Sequence, residues 1–474
     1  MINGGESLTF TRERVSEFES FVTAFMAEQG VPGVSIAIGL GDDLLYAKAF
    51  GLRDKAAMLP MTTETILGIA SITKSFTATA VGILVDEGRL SFDDPVIRHL
   101  PEFTIKGRDV SGVRIHHLLS HTPGLQPLPT LGYSLRSNTV ADEVGNQAKS
   151  AEEKPEPSMN TVKDLLAYMA QEEVGVFGQP GEYFSYSNDC YGLLGEIIAR
   201  VSGIPYQRFV RERVLQPLGM ERTLFSYEEL MEHDNFTALY YRDEREELQV
   251  SHRWQVAPPF TAGGWLKSTA VDLVRHYQMY AAGGAYLGRR IISSEIARLN
   301  TTPRCKYALQ AEYAHGLKVT RDYQGVTLVE HGGSLKGVAS NAGFVPERKI
   351  SAVVLCNLSG VPVDKLWLAA INLALGLPLE TPRIRYSTKA WPAHLLDLYP
   401  GQYRSGEGAE FTITREAEDL WVQLKQQRCK LTSINDVTGL LVHKGVEQEM
   451  RFYLDAAGQP LGVGYGVRII PRVG

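Results

Sequence analysis

Predicted β-strands lie in two groups far apart in the chain, and this distribution limits the fold more than any other sequence feature. The first group is a hairpin, with β-rich runs over residues 34–40 and 44–50 joined by the turn Gly41-Asp42-Asp43. The second group comprises the candidate strands 326–330, 339–345 and 350–357. Residues 95–285, between the groups, are mainly helical and looped. We therefore predict an α+β fold, in which one antiparallel sheet contains the strands of both groups and the helices are inserted between them.

Helices are predicted to flank this sheet. An amphipathic helix is predicted over residues 11–29, because apolar side chains recur there at helical spacing: Val15, Phe18, Val22 and Phe25. Further helices are predicted over residues 71–87, with an apolar face and a stop at Gly88, and over residues 364–375. Residues 126–160 contain four prolines and little periodicity, which indicates a long surface loop of the kind that often forms a lid.

The chain is long enough for more than one domain. Its 474 residues exceed what a single hydrophobic core usually supports. The sequence pattern changes near residue 378, where several prolines occur and short runs of alternating apolar residues follow. We predict a domain over residues 1–377 with a helical subdomain, a linker over 378–390, and a small antiparallel β-barrel over 391–474.

Charge and hydropathy exclude several classes of partner. With 48 basic and 54 acidic side chains the net charge is −6, which provides no overall attraction for nucleic acid or anionic lipid. The longest apolar stretch, residues 366–379, is too short to cross a bilayer and fits a core helix. The first residues contain charges where a secretory signal would place an apolar run. The sequence thus predicts a cytoplasmic protein that binds neither membrane nor nucleic acid.

Metal-binding patterns are weak. The cysteines are too far apart to form a CxxC pair and are expected to be reduced and structural: Cys190, Cys305, Cys356 and Cys429. A histidine cluster looks at first like a metal site, but no carboxylate or cysteine ligand accompanies it: His116, His117 and His121. We predict a structural role for these histidines, and no metal or other cofactor.

Ser71-Ile72-Thr73-Lys74 is a Ser-x-x-Lys sequence at the predicted start of a helix. A spacing of three places both side chains on one helical face, so the lysine amine can reach the serine hydroxyl. A serine hydroxyl becomes an effective nucleophile when an adjacent base takes its proton. The pattern therefore predicts nucleophilic serine chemistry, although an ordinary helix start with a solvated lysine would give the same residues.

Two further elements follow in the chain. Tyr186-Ser187-Asn188 lies after turn residues and before a predicted helix, which places it on a loop where the tyrosine could carry a proton. Simple turn and cap roles are the alternative for these residues. His331-Gly332-Gly333-Ser334 follows a β-rich run, and its glycines would let a substrate backbone approach closely. His443 begins a second His-x-Gly sequence, and His331 could also simply end a strand.

In this order, the three elements resemble those of the serine β-lactamase and penicillin-binding protein superfamily. The resemblance covers roughly residues 10–377. Residues 115–125 and 262–269 are similar to segments of class C β-lactamases, D-aminopeptidases and related esterases. The barrel resembles the lipocalin-like domain found behind some of these hydrolases. The resemblance implies a β-lactamase/transpeptidase-like sheet flanked by helices.

The resemblance also implies roles for the motif residues. Ser71 would be the acylated nucleophile and Lys74 its proton partner. Tyr186 would relay the proton to the leaving group, and Asn188 would hold the substrate and Lys74. The backbone N–H groups of Ser71 and Ser334 would form an oxyanion hole.

The third motif departs from the β-lactamase pattern, because His331-Gly332-Gly333 replaces Lys-Thr-Gly. The lysine and threonine that bind a substrate carboxylate are absent, while His331, Gly333 and Ser334 remain candidates for substrate binding. We expect a serine hydrolase that acts through an acyl-enzyme on small amide, D-amino acid-containing peptide or ester substrates. A β-lactamase or DD-carboxypeptidase is the alternative, and a non-catalytic penicillin-binding-like scaffold is the second. The expected partner is a small molecule or short peptide, with homo-oligomerisation left open.

Overall fold

The computed structural model describes residues 10–138, 156–171, 174–175, 177–251, 253–425, 427–443 and 446–473. The chain forms two compact units, each built from separate segments. The first unit contains Met1–Ser91, Leu194–Pro303 and Ala314–Arg383, and the second contains Phe92–Leu193, Arg304–Tyr313 and Ile384–Gly474. The domain boundaries read from the sequence stay a prediction. Residues 139–155, about half of the surface loop predicted over residues 126–160, lie outside the described residues.

The first unit is built on the predicted antiparallel sheet. Its strands lie side by side in this order: Lys318–Tyr323, Val326–Leu335, Val338–Val345, Ile350–Cys356, Gly33–Leu40, Asp43–Asp54 and Leu59–Pro60. Val34 lies opposite Cys356 in one neighbouring strand and opposite Phe50 in the other. The N-terminal hairpin and the later strands therefore meet at the centre of the sheet, as the strand distribution predicts.

Helices cover this sheet. The first, Arg12–Gln29, begins after Thr11, whose hydroxyl accepts a hydrogen bond from the backbone N–H of Arg14, and ends at Gly30 in a left-handed conformation. Its buried apolar face and the helix Val363–Leu375 share one core with the central strands. Other helical segments of this unit are Thr73–Asp86, Tyr206–Val210, Arg211–Leu215, Tyr227–Leu230, Thr261–Gly264, Ala270–Ala281 and Ser294–Thr301.

The helix predicted over residues 71–87 differs from expectation in its surroundings. A 3₁₀ turn, Ala70–Ile72, precedes the α-helix Thr73–Asp86. Every residue from Thr73 to Leu84 is buried, so this is a core helix rather than an amphipathic one. Its polar side chains tolerate burial because they donate hydrogen bonds inside the protein, as Thr73 does to the carbonyl of Ala70.

The second unit contains the predicted barrel. Among the described residues, eight antiparallel strands close upon themselves: Gly401–Arg404, Glu410–Glu416, Asp419–Leu424, Gln427–Asn435, Thr438–His443, Val446–Leu454, Pro460–Tyr465 and Arg468–Val473. Tyr399 stacks on Phe452 in the barrel core, with ring centroids 3.6 Å apart. The other elements of the unit are short: Val96–His99, Ile115–Leu119, Thr130–Asn138, Val162–Gln171, Ala393–Leu396, and the hairpin Cys305–Lys306 with Glu312–Tyr313.

Four details complete the architecture. The helix Asn188–Ser202 contains the point at which the chain passes from the second unit to the first. All four cysteines are free thiols, in agreement with the sequence. In the part of the chain that the structure describes, no helix combines the length and apolar character needed to cross a membrane. Short strand pairs also occur: Leu67–Gly68 with Lys267–Ser268, Leu239–Arg242 with Leu248–Ser251, and Ala285–Tyr286 with Arg289–Arg290.

Candidate active site

Ser71 lies in the 3₁₀ turn that leads into the core helix, and its side chain is partly exposed. The preceding residue, Ala70, has a φ of 45°, which is a left-handed conformation rare for a residue with a Cβ. The hydroxyl of Thr73 donates to the carbonyl of Ala70 at 2.7 Å. This arrangement fixes the direction in which the Ser71 side chain leaves the helix N-terminus.

Lys74 is fully buried and lies three residues after Ser71, in the first turn of the core helix. Its Nζ lies 3.3 Å from Ser71 Oγ and donates to the carbonyl of Gly263 at 2.6 Å. Gly263 belongs to the short helix Thr261–Gly264, far from Lys74 in sequence. The amine is therefore held in place beside the serine hydroxyl, where an uncharged lysine could take the hydroxyl proton.

Gly333 packs against the turn that carries Ser71. A Cβ at this position would lie 2.3 Å from the carbonyl oxygen of Ile69 and 2.5 Å from Ser340 Oγ. Ser340 also donates a hydrogen bond to that carbonyl at 3.0 Å. The close approach of the strand to the turn thus requires a glycine. From the sequence we explain this glycine by the approach of a substrate backbone, and in the structure it also accommodates the protein's own turn.

His331 lies within a strand and does not end it. The strand Val326–Leu335 continues through the whole third motif, so this alternative for the histidine is excluded. His331 is buried and its Nδ1 donates to the carbonyl of Gly332 at 2.6 Å. Burial lowers the pKa of His331 well below its usual value, and the charges of Lys318 and Lys74 lower it further. The imidazole is therefore neutral at pH 7.

Ser334 differs from its neighbours in the motif. Its side chain is exposed, and strand alternation places it on the face opposite His331 and Gly333. The first unit therefore brings Ser71, Lys74 and Gly333 together, with His331 on the same strand. The alternative histidine, His443, ends a barrel strand in the second unit.

Tyr186 and Asn188 belong to the second unit. Tyr186 lies on a loop, as predicted, while Asn188 is the first residue of the helix Asn188–Ser202. The hydroxyl of Ser187 accepts from the backbone N–H of Cys190 at 3.3 Å, as an N-cap residue does. Both motif side chains are almost completely buried.

Several groups surround Tyr186. Its backbone N–H donates to the carbonyl of Val467 at 2.9 Å. The guanidinium of Arg468 lies 5.1 Å from the centre of the Tyr186 ring. The ring also lies against the imidazole of His121, with centroids 4.2 Å apart. The barrel and the predicted histidine cluster thus both contribute to the surroundings of this tyrosine.

A small cleft borders the turn that carries Ser71. Its lining is mostly apolar: Gly68, Ala70, Leu239, Trp254, Gln255, Gly264, Trp265, Leu266, Lys267, Leu335, Lys336 and Val338. The buried ammonium of Lys267 donates to the carbonyl of Phe225 at 2.7 Å. Burial lowers the pKa of Lys267 to about 8, while Glu229 and Glu228 act in the opposite direction. The cleft beside this turn is therefore mostly apolar, with few polar atoms in its lining.

Sequence reasoning missed two contributions to this site. It gave no role to Gly263, whose carbonyl holds Lys74, although the surrounding segment was part of the family resemblance. It also did not foresee the contact between His121 and Tyr186. Within the described residues, no three or more His, Cys, Asp or Glu side chains are grouped as a metal site would require.

Comparison with known proteins defines the class. A family model described as Beta-lactamase matches residues 18–375. The chain therefore belongs to the beta-lactamase family, which is a family of hydrolases. This confirms the superfamily resemblance drawn from the three motifs.

Individual relatives agree with this assignment. Penicillin-binding protein 4* of Bacillus subtilis (strain 168) is 25% identical over 435 residues, covering 88% of this chain and 89% of the relative. The octameric penicillin-binding protein homologue from Pyrococcus abyssi is 30% identical, with a TM-score of 0.68 over 96% of this chain and 99% of that one. A D-amino acid amidase from Ochrobactrum anthropi SV3, 24% identical over 76% of this chain and 96% of that one, shares the fold with a TM-score of 0.59.

Proposed function

We propose that the protein is a serine hydrolase that forms an acyl-enzyme on Ser71. The observation that carries this proposal is the position of Lys74 Nζ, 3.3 Å from Ser71 Oγ and fixed by the carbonyl of Gly263. A buried amine next to a hydroxyl is the pairing that activates a serine nucleophile.

The proposed reaction has two steps. Ser71 Oγ attacks the acyl carbonyl carbon while its proton passes to Lys74. The bond to the leaving amine or alcohol then breaks as Tyr186 gives its proton to that group, and the proton held by Lys74 passes to the Tyr186 oxygen, so that both side chains return to their starting states. Water attacks the resulting ester while it gives one proton to Lys74, the bond between the acyl carbon and Ser71 Oγ breaks, and that proton returns to Ser71 Oγ as the carboxylic acid is released. The backbone N–H groups of Ser71 and Ser334 are proposed to stabilise the oxyanion in both steps.

The proposed substrates are small esters, amides and peptides with a D-amino acid. At neutral pH the His331 ring, whose pKa is lowered by burial, carries no charge with which to bind a substrate carboxylate. Asn188 is proposed to hold the substrate together with Lys74, with Gly333 allowing its backbone to approach. A D-amino acid amidase shares the fold, so the fold accommodates that substrate class.

Covalent labelling tests the proposal directly. We expect a fluorophosphonate to label the wild-type protein with one adduct per chain, on Ser71, and Ser71→Ala to abolish labelling. The same variant should lower turnover by about 10³-fold or more. Ser111→Ala, at an exposed serine, is the control and should behave as the wild type. Wild-type turnover by purified Ser71→Ala would overturn the assignment, and absence of labelling in every variant would favour the scaffold alternative.

A substrate panel tests the proposed specificity. We expect a higher kcat/KM for p-nitrophenyl butyrate and D-Ala p-nitroanilide than for nitrocefin, because the third motif lacks the cationic group that binds a carboxylate. Each such charge-assisted hydrogen bond contributes about 1.5–3 kcal/mol. A preference for nitrocefin would favour the β-lactamase or DD-carboxypeptidase alternative.

Tyr186 has a test of its own. Tyr186→Phe keeps the ring but removes the hydroxyl, so we expect it to lower the rate of acylation more than the affinity for substrate. Pre-steady-state measurement of p-nitrophenol release separates these effects. A variant with raised KM alone would make Tyr186 a binding residue and leave proton transfer to Lys74 and water.

The proposal also covers the oligomeric state, the type of barrel and the location in the cell. We propose that the protein forms homo-oligomers, which the octameric homologue from Pyrococcus abyssi supports, and light scattering of the purified protein would test this. The barrel is proposed to be lipocalin-like, and a cytoplasmic location stays a prediction.

A further inference from the structure

One residue binds the backbone on both sides of Tyr186. The N–H of Ser185 donates to the carbonyl of His121 at 3.0 Å. The N–H of Ser187 donates to Nδ1 of the His121 imidazole at 3.1 Å. The backbone N–H groups of the residues on either side of the tyrosine are therefore both bound by a single residue, one by its main chain and the other by its side chain.

The imidazole itself is fixed by a third contact. Because Nδ1 accepts a hydrogen bond, the ring proton lies on Nε2, which is 3.2 Å from the hydroxyl oxygen of Tyr313. His121 is completely buried, and its ring also lies against the ring of Tyr186 at 4.2 Å. The ring orientation is thus determined by hydrogen bonds at both nitrogens and by aromatic packing.

The other histidines of the predicted cluster have different contacts. Nδ1 of His117 accepts from the backbone N–H of Arg114 at 3.1 Å, and Nε2 of His116 lies 3.5 Å from a carboxylate oxygen of Asp93. These contacts stabilise their own short helix and its entry. His121 differs because its imidazole contacts the loop that carries Tyr186.

We infer that His121 is a positioning residue for Tyr186. Its Nδ1 fixes the peptide of Ser187, which sets the direction in which the tyrosine side chain leaves the loop. The inference rests on the proposed function, in which the Tyr186 hydroxyl transfers a proton. A displacement of such a group by about 1 Å can lower the rate about 10²-fold.

The local backbone suggests a conservative replacement. His121 has a φ of 57°, in the left-handed region that asparagine tolerates better than most residues. The side-chain oxygen of asparagine can also take the place of Nδ1 as the acceptor for Ser187. His121→Asn therefore retains the proposed positioning contact, whereas His121→Leu removes it.

Steady-state kinetics of the full-length variants test the inference. We expect His121→Leu to lower kcat about 10- to 100-fold with KM within about twofold of wild type, and His121→Asn to stay within about threefold in kcat. His117→Asn is the matched control, since it changes another buried histidine whose Nδ1 accepts a backbone N–H. Equal losses in His121→Asn and His121→Leu would overturn the inference.

A double-mutant cycle separates positioning from general stability. If His121 acts through the Tyr186 hydroxyl, adding His121→Leu to Tyr186→Phe should lower kcat little further. Additive losses would contradict the inference. If His121→Leu does not fold, His121→Gln replaces it, because its longer side chain misplaces the acceptor and should still lower kcat. Tyr186→Phe with wild-type kinetics would refute the proposed proton relay, whereas an impaired Tyr186→Phe with unimpaired His121→Leu would refute only the positioning role.

Discussion

The backbone next to Ser71 is in a conformation that costs free energy. A left-handed φ at a residue other than glycine costs of the order of 1–3 kcal/mol, and Ala70 adopts one. The hydroxyls of Thr73 and Ser340 offset this cost by donating to the carbonyls of Ala70 and Ile69. Such conformations persist where surrounding contacts determine them, so the geometry of the turn that carries Ser71 is set by the fold.

Gly333 provides a test of that geometry. Because a Cβ there would clash with the Ile69 carbonyl, we expect Gly333→Ala to destabilise the protein by about 1–3 kcal/mol and to reduce ester hydrolysis strongly. Gly332→Ala is the matched control, since its nearest neighbour would be the Ser340 carbonyl oxygen at 3.6 Å, an ordinary contact. Urea unfolding and kcat/KM of both variants make the comparison, and equal effects would contradict the close approach.

The charge state of His331 predicts a pH dependence. Since the pKa of His331 lies well below 6.5 in the folded protein, the ring stays neutral between pH 6 and 8. We expect the acid limb of the kcat/KM profile to have the same midpoint in wild type and in His331→Gln. A midpoint near 6.5 that disappears in the variant would show that the histidine titrates during the reaction.

At the scale of elements, the core helix Thr73–Asp86 shows how a polar helix can be buried. Its hydroxyl side chains donate to carbonyls: Ser75 to Ile72, Thr77 to Ala262, and Thr79 to Ser75. Satisfied hydroxyls avoid the penalty of about 1–3 kcal/mol for a buried polar group without a partner. The helix is therefore held rigidly, and the serine at its start with it.

The neighbouring helix Ala270–Ala281 contributes a buried histidine with a predictable effect on stability. The Nε2 of His276 lies 3.1 Å from Ser75 Oγ, the ring stacks on Phe76, and burial lowers its pKa to about 3. In the unfolded chain the pKa of His276 is about 6.5, so below this pH the unfolded state binds a proton that the folded state does not bind. The contribution of His276 to stability is thus complete above pH 6.5 and is lost as pH falls toward 3.

We therefore expect His276→Gln to unfold with a smaller difference between its urea midpoints at pH 7 and pH 5 than wild type. Glutamine retains a hydrogen-bonding group for Ser75 but does not titrate. His394→Gln, at an exposed histidine, should keep the wild-type difference. An unchanged pH dependence in His276→Gln would mean that this imidazole is protonated in the folded protein.

At the scale of the whole molecule, the turn between the last two barrel strands and the final strand itself contact the loop that carries Tyr186. The carbonyl of Val467 accepts from the N–H of Tyr186, and the N–H of Ile469 donates to Ser185 Oγ at 3.4 Å. Tyr186 shares a small apolar cluster with Phe184 and Tyr313, against which Val467 packs. The C-terminal barrel is therefore part of the surroundings of the proposed proton carrier.

Arg468 tests this contribution. Its guanidinium forms an ion pair with Glu407 and lies over the Tyr186 ring. A contact of this kind contributes about 0.5–2 kcal/mol, so if that energy orients Tyr186 in the transition state we expect Arg468→Ala to lower kcat by about 2- to 30-fold. Arg404→Ala removes a comparable barrel arginine, paired with Glu410 on the surface, and should leave kcat unchanged. Equal kinetics for the two variants would show that Arg468 does not influence Tyr186.

Dialysis tests the predicted independence from metals. A serine mechanism needs no metal ion, and the described residues contain no group of side chains suited to hold one. We expect dialysis against EDTA to leave ester hydrolysis unchanged. A loss of activity that zinc restores would argue against the serine mechanism as a whole.

The sequence by itself predicted the features that depend on local pattern. Helical spacing located the helix Arg12–Gln29, alternation located the hairpin and the barrel, and the three motifs indicated the family. A helix turn also guarantees that residues three apart meet, which is why the pairing of Ser71 with Lys74 was accessible. These relations are fixed by backbone geometry over a few residues.

The tertiary structure decided which groups from distant parts of the sequence contact each motif residue. The carbonyl that holds Lys74 comes from Gly263, and the acceptor beside Tyr186 comes from His121. The strand at Gly333 lies so close to the turn before Ser71 that a Cβ would not fit. No local periodicity encodes such contacts, because a backbone carbonyl is present at every residue and only packing of the folded chain selects the one that is used.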